Sequence, residues 1–160
     1  MERPDVSDLL NEWEEFYKNL FGLNVLLRRL VIPDTKQGFN RLIVVVPRLG
    51  PEELCRKCED LFSVRRRIPG KLNKVISSER TAENGAYAVW VRDVVEAVKA
   101  DCYREFENMS AEDLRRKNKI FITLEERILL ELWELWRTRG HLDLISTTLC
   151  VGSRLSLIHI

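Results

Sequence analysis

Gly85-Ala86-Tyr87-Ala88-Val89-Trp90-Val91-Arg92-Asp93-Val94-Val95-Glu96 is the stretch on which the rest of the chain can be hung. Residues 86–91 are all apolar and mix aromatic with β-branched side chains, the composition of a strand buried on both faces. Asp93 with Glu96 three positions later has the form of a capping box and predicts a helix that starts there. A strand that runs straight into a helix is the repeating unit of an α/β sheet. Leu42-Ile43-Val44-Val45-Val46, ended by Pro47, is a second continuous apolar run and reads as a parallel partner strand. Between them, Gly50-Pro51-Glu52-Glu53 opens a helix over 51–62, with proline at the first helical position and acids in the first turn. Its apolar stripe is Leu54, Cys55, Cys58, Leu61 and Phe62. Strand 42–46, helix 51–62 and strand 86–91 together predict a right-handed βαβ unit.

Further out, Leu9, Trp13, Phe16 and Leu20 recur at helical spacing, with Leu10 and Tyr17 beside them, and predict a helix over 8–21. Ser7 is its expected N-cap and Gly22 its stop. Such an aromatic stripe reads as core, with a partner-binding ridge as the alternative. Residues 23–40 are mixed, with turns at Pro33-Asp34 and Gln37-Gly38. On the other side, Val95, Val98, Cys102 and Phe106 continue one helix face. Ser110 with Asp113 marks a short helix. Thr123 with Glu126 is a capping box for the longest helix, 124–139, with the stripe Ile128, Leu129, Leu132, Trp133, Leu135, Trp136 and with Gly140 as its close. Ile145 to Val151 reads as the start of another strand.

Length and composition set the frame. At 160 residues the chain suits one domain with a real core. Apolar residues make up 45% and charged residues 32%, ordinary values for a globular protein, and a net charge of +1 provides no global field for nucleic acid or acidic membrane. Met1-Glu2-Arg3-Pro4-Asp5 is not a basic-then-apolar leader, and no apolar run approaches a membrane span. Four cysteines do not suggest a disulfide scaffold, and a cytoplasmic location is the expectation. The expected architecture is therefore α/β, one domain over 1–154 holding the βαβ unit and the long C-terminal helix.

No catalytic or metal-binding set and no cofactor motif emerges. Cys55-Arg56-Lys57-Cys58 is a CxxC, but redox motifs place the first cysteine at a helix N-terminus, and here Pro51 starts the helix a full turn earlier. Both sulfurs fall on the apolar stripe, so two small buried hydrophobes are expected in place of a thiol enzyme. A zinc site would need two more ligands, and neither Cys102 nor Cys150 belongs to a second pair. His141 follows a helix C-terminus, where a cation suits the last carbonyls. The basic stretch 65–80, with Arg65, Arg66, Arg67, Lys71, Lys74 and Arg80, is the candidate for phosphate contact. It contains no aromatic residue for base stacking, and a solvated basic loop facing acidic helices is the alternative.

The last six residues, Leu155-Ser156-Leu157-Ile158-His159-Ile160, match in order the translation of a transposon end sequence used in preparing sequencing libraries. They are expected to be a non-native tail, with the natural protein continuing past Arg154; a short terminal strand is the alternative. Five ordered blocks carry a family resemblance: Gly38-Phe39-Asn40-Arg41-Leu42-Ile43-Val44-Val45; Gly85 to Asp93 with Val95-Glu96-Ala97; Met109-Ser110-Ala111-Glu112-Asp113-Leu114; Ile122-Thr123-Leu124-Glu125-Glu126-Arg127; and Gly140-His141-Leu142-Asp143 leading to Thr148-Leu149-Cys150-Val151-Gly152-Ser153-Arg154. Together they resemble the bacterial, largely metagenomic, variable proteins that are targets of diversity-generating retroelements. Stretch 98–108 and the basic loop fit that pattern poorly.

The resemblance implies that the Gly-Ser-Arg block leads into a diversified segment similar to a C-type-lectin ligand surface. Tyr, Ser and Asn suit such a surface as they suit antibody loops, by combining rigid aromatic area with short polar hydrogen-bonders. It implies a non-enzymatic display protein without cofactor, whose partner is a protein or cell-surface ligand and whose ligand-binding residues lie beyond Arg154. The alternative function is a nucleic-acid-associated protein of a mobile element, acting through Arg65, Arg66, Arg67, Lys71 and Lys74.

Overall fold

The computed structural model describes residues 5–64, 66, 68, 70–92, 106, 108–142 and 150–155. In chain order its elements are α1 (Val6–Phe21), β1 (Phe39–Val45), α2 (Pro51–Leu61), α3 (Leu72–Val75), β2 (Ile76–Ser78), β3 (Tyr87–Arg92), α4 (Ala111–Arg115), α5 (Leu124–Thr138) and β4 (Ser153–Leu155). Helices and small sheets make the fold mixed α/β. The chain gathers into two compact units, one formed by Met1–Pro47 with Ala82–Asp93 and the other by Arg48–Thr81 with Val94–Ile160.

In the first unit, α1 carries the predicted stripe, with Leu9, Trp13, Phe16 and Tyr17 buried. Its N-cap is Asp5, whose carboxylate accepts the Ser7 amide at 3.0 Å; the sequence expectation of Ser7 as cap is two residues late. Gly22 takes the left-handed conformation, φ 65°, that ends the helix. Trp13, Phe16, Tyr17 and Phe21 form an aromatic cluster with neighbouring centroids 5.0–6.0 Å apart.

β1 and β3 are paired as expected but run antiparallel, with Leu42 opposite Trp90, Ile43 opposite Val89 and Val44 opposite Ala88. The parallel βαβ unit is corrected. A continuous apolar run signals burial on both faces and is silent on strand direction. The helix that was to cross over, α2, belongs to the other unit and packs against α5. With no helix returning over the sheet, the connection does not impose a parallel neighbour.

α1 also seals the outer edge of β1. Trp13 Nε1 donates to the Leu42 carbonyl at 3.2 Å, and Tyr17 Oη donates to the Val44 carbonyl. Burial pushes the Tyr17 phenol well above its ordinary value, the nearby Tyr87 adds to this, and a hydrogen bond with the Val46 backbone partly opposes it.

In the second unit, α2 faces α5 with Leu54 and Cys58 buried, although Leu61 at the end of the predicted stripe is exposed. α5 follows the predicted capping box and buries Leu129, Leu130, Leu132 and Trp133. It is one residue shorter than α1, so it is not the longest helix, and its left-handed terminal residue is Arg139, φ 61°, where Gly140 was expected. α4 starts as predicted at Ser110, whose hydroxyl accepts the Asp113 amide at 3.1 Å.

α3 and β2 are ordered elements inside the basic stretch 65–80, where the sequence predicts a loop. β2 pairs antiparallel with β4, Ile76 opposite Leu155 and Ser78 opposite Ser153. The strand expected at 145–151 is corrected at its described end: Val151 lies in a turn and the strand begins at Ser153. Residues 145–149, the helix expected from Asp93 with its capping box to Glu96, Cys102, Arg65, Arg67 and the tail from Ser156 lie outside the described residues.

Candidate functional site

The densest polar construction in the described residues surrounds the N-terminus of α5, and it holds the Gly152-Ser153-Arg154 block. The construction starts from the local code. Thr123 Oγ1 accepts the Glu126 amide at 3.2 Å, and Glu126 Oε2 accepts the Thr123 amide at 2.9 Å. The helix is amphipathic and turns its first residues inward, so Glu126 is only 1% exposed. A carboxylate so placed needs a cation, and Arg80 supplies it through Nε and Nη2, both at 2.8 Å. The same Nη2 donates to the Phe121 carbonyl at 2.6 Å.

Next to this pair runs a chain of hydroxyls. Glu125 Oε2 lies 2.6 Å from Ser78 Oγ, which lies 2.7 Å from Ser153 Oγ, which accepts the Leu124 amide at 2.8 Å. An ionised carboxylate can only accept, so Ser78 donates to Glu125 and Ser153 donates to Ser78. The hydroxyl chain therefore ends on the Glu125 carboxylate and ties Ser153 both to Ser78 and to the first turn of α5.

Backbone bonds complete it, from Gly152 N to the Ile122 carbonyl at 2.9 Å and from Glu79 N to the Gly152 carbonyl at 2.8 Å. Arg115 Nη2 reaches the Ser153 carbonyl at 3.3 Å, while its Nε is buried without a partner. Gly152 is required here, because a Cβ would sit 2.6 Å from the Phe121 carbonyl oxygen and 2.9 Å from that of Ile122. Thr123 and Glu126 were legible as a capping box. Ser78, Arg80 and Arg115 were not read as its partners, since nothing local links them to it.

The basic stretch divides. Arg66 Nη1 lies 3.1 and 3.2 Å from the two oxygens of Glu52, and its Nε lies 3.2 Å from Glu59. The Leu72 amide donates to Glu52 at 2.7 Å, and this bond, followed by the one from Arg66, holds the Glu52 carboxyl below its ordinary range. Asn73 ties the same corner, accepting the Glu52 amide at 2.9 Å and donating to Glu53. Arg66 and Arg80 thus act inside the fold, while Lys71 and Lys74 are exposed.

Cys58 is buried and Cys55 half-buried, both as free thiols. Burial, reinforced by Cys55 and Glu131, pushes the Cys58 thiol up to about 12, the opposite of what a thiol nucleophile needs. His141 does not cap the α5 carbonyls: its Nδ1 meets Glu131 Oε1 at 2.7 Å and its ring packs edge-on against Phe62. Glu131 also accepts the Leu142 amide and pairs with Arg127.

Among the described residues no group of three or more His, Cys, Asp or Glu could hold a metal ion, and no helix is long and apolar enough to cross a membrane. Comparison with protein-family models, curated proteins and solved structures gives no match.

Proposed function

We propose that residues 1–154 are the scaffold of a non-enzymatic ligand-display protein, the target of a diversity-generating retroelement, and that its ligand is met by a diversified segment following Arg154. The observation that carries this reading is the seating of Gly152-Ser153-Arg154. A variable binding segment needs a fixed base, because disorder at its root is entropy that binding must overcome. Gly152 is packed against backbone with no room for a side chain, and Ser153 is held by the Leu124 amide and the Ser78 hydroxyl. Two of the five resembling blocks meet in this one anchor, the first through Ile122 and Leu124 and the other through Gly152 and Ser153. In this reading the protein is cytoplasmic, takes no cofactor and recognises a protein or a cell-surface group.

The test is to sequence the gene through the codons for Ser153 and Arg154 into flanking DNA. The expected result is a reading frame that continues into a segment rich in Tyr, Asp, Ser, Asn and Trp, with a near-copy repeat and a reverse transcriptase gene nearby. A stop directly after Ile160, or a continuation with no such repeat, refutes the proposal. Nucleic-acid association through Arg65, Arg66, Arg67, Lys71 and Lys74 has less support, because Arg66 is already engaged by Glu52 and Glu59.

A further inference from the structure

The β1–β3 sheet treats its two edges differently. In an antiparallel pair the N–H and C=O of one residue point to the same side. The carbonyls of Leu42 and Val44 are taken by Trp13 and Tyr17 of α1, so these two residues turn their backbone groups away from β3. Their partners across the pair, Trp90 and Ala88, therefore turn theirs away from β1. Among the described residues no backbone group meets Ala88 or Trp90 on that outer edge.

Beside this edge lies a solvent-open cleft of about 450 Å³, between Arg29, Leu30, Val31 and Pro33 on one wall and Ala86–Ala88 on the other. Trp90 Nε1 donates to the Pro33 carbonyl at 2.8 Å and ties the outer wall to the strand. The wall presents apolar surface to water, Val31 being 84% exposed, and Leu26, a few residues before the wall in sequence, is 88% exposed. Arg28 and Arg29, between them in sequence, are exposed as well, and neither forms an ion pair among the described residues.

We propose that this edge is a docking site for an extended, acidic segment of a partner protein, which adds to β3 as a further strand. Its backbone would bond Ala88 and Trp90, an apolar side chain would enter the cleft, and its carboxylates would meet Arg28 and Arg29. A second copy of this chain fits less well. A two-fold pairing of β3 with itself sets the same surface against itself and brings four arginines to one seam. This site is separate from the anchor at Gly152-Ser153-Arg154 and stands whether or not the display reading does.

The probe is a blocked hexapeptide of alternating Glu and Val, titrated into the isotopically labelled full chain and followed by backbone and indole NMR shifts. Saturable shifts confined to Leu30–Pro33, Ala86–Trp90 and the Trp90 indole are expected. Affinity should fall about three- to tenfold in Arg28→Glu with Arg29→Glu, the size of two exposed charge pairs reversed. Methylating alternate peptide nitrogens should abolish binding in one of the two registers, since strand addition works through backbone bonds. Absence of shifts at millimolar peptide overturns the proposal. Equal binding of a Lys and Val peptide overturns it too, and so does a sedimentation profile showing that the unliganded chain already pairs through this edge. The peptide comparisons use the unmodified chain, so they hold even if the double variant folds poorly.

Discussion

Replacing Arg80 by Met isolates the central contact of the anchor. Met keeps much of the apolar stem and removes the guanidinium, so Glu126, 1% exposed, loses its cationic partner while it keeps the bond from the Thr123 amide. The bonds that vanish include two of 2.8 Å to Glu126 and one of 2.6 Å to the Phe121 carbonyl. Breaking a buried ion pair from one side costs about 3–5 kcal/mol. The Arg80 side chain is 25% exposed, which lets water reach the vacated position and favours the lower end, about 3 kcal/mol. For a chain of this size that is a fall in melting temperature of about 6–12 °C.

A second variant separates charge from shape. Arg80→Met combined with Glu126→Gln removes both charges and keeps an acceptor for the Thr123 amide. It should recover about 2 kcal/mol of the single-variant loss, because the larger part of that loss is the stranded carboxylate. Urea unfolding followed by circular dichroism, run on the parent, both single variants and the double, measures the coupling. A single variant within about 1 kcal/mol of the parent would refute the reasoning, as would a double variant no better than the single.

Three further outcomes are expected. Gly152→Ala drives a Cβ into the Phe121 and Ile122 carbonyls, backbone atoms that cannot swing aside, and should cost about 1–3 kcal/mol and weaken amide protection in β2 and β4, read by hydrogen exchange. The Cys58 thiol should resist iodoacetamide in the folded chain at mildly alkaline pH and react on unfolding; its neutral burial contributes stability that is complete below its ordinary value of 9.0 and is lost as pH rises toward about 12, so rapid alkylation of folded Cys58 would contradict its placement. Glu52 is the opposite case: its folded carboxyl is held below 4.5, so its contribution is present above that pH and is lost as pH falls through the folded value, and Glu52→Gln should flatten the acid limb of a pH-unfolding curve.

What could be read from the sequence was what short-range rules determine. Thr123 with Glu126, Ser110 with Asp113, and Gly22 end or start helices through groups within a few residues, and each does so in the structure. Strand direction escaped because the groups that define β1's edge, the Trp13 indole and Tyr17 hydroxyl, lie 29 and 27 residues from the carbonyls they take. β2 escaped because Ile76-Ser77-Ser78 is short and has no alternation of its own; it is a strand because residues 153–155 lie beside it.

Positive charge makes the same point for function. Composition groups Arg66 and Arg80 into one basic stretch, yet each is committed to a carboxylate, Glu52 with Glu59 in one case and Glu126 in the other, and Arg80 is 46 residues from its partner. A charge run counts cations and cannot count the distant anions that neutralise them. Arg28 and Arg29 sit in a mixed segment with no motif of its own, but they lie between exposed apolar side chains, beside a strand edge that no other backbone group meets among the described residues. Among the described residues, the inconspicuous Arg28 and Arg29 are exposed and form no ion pair, whereas Arg66 and Arg80 of the basic stretch tie the second unit together. A search for this protein's ligand that begins with acidic extended peptides follows from that inversion, whereas one that begins with nucleic acid follows from the charge run alone.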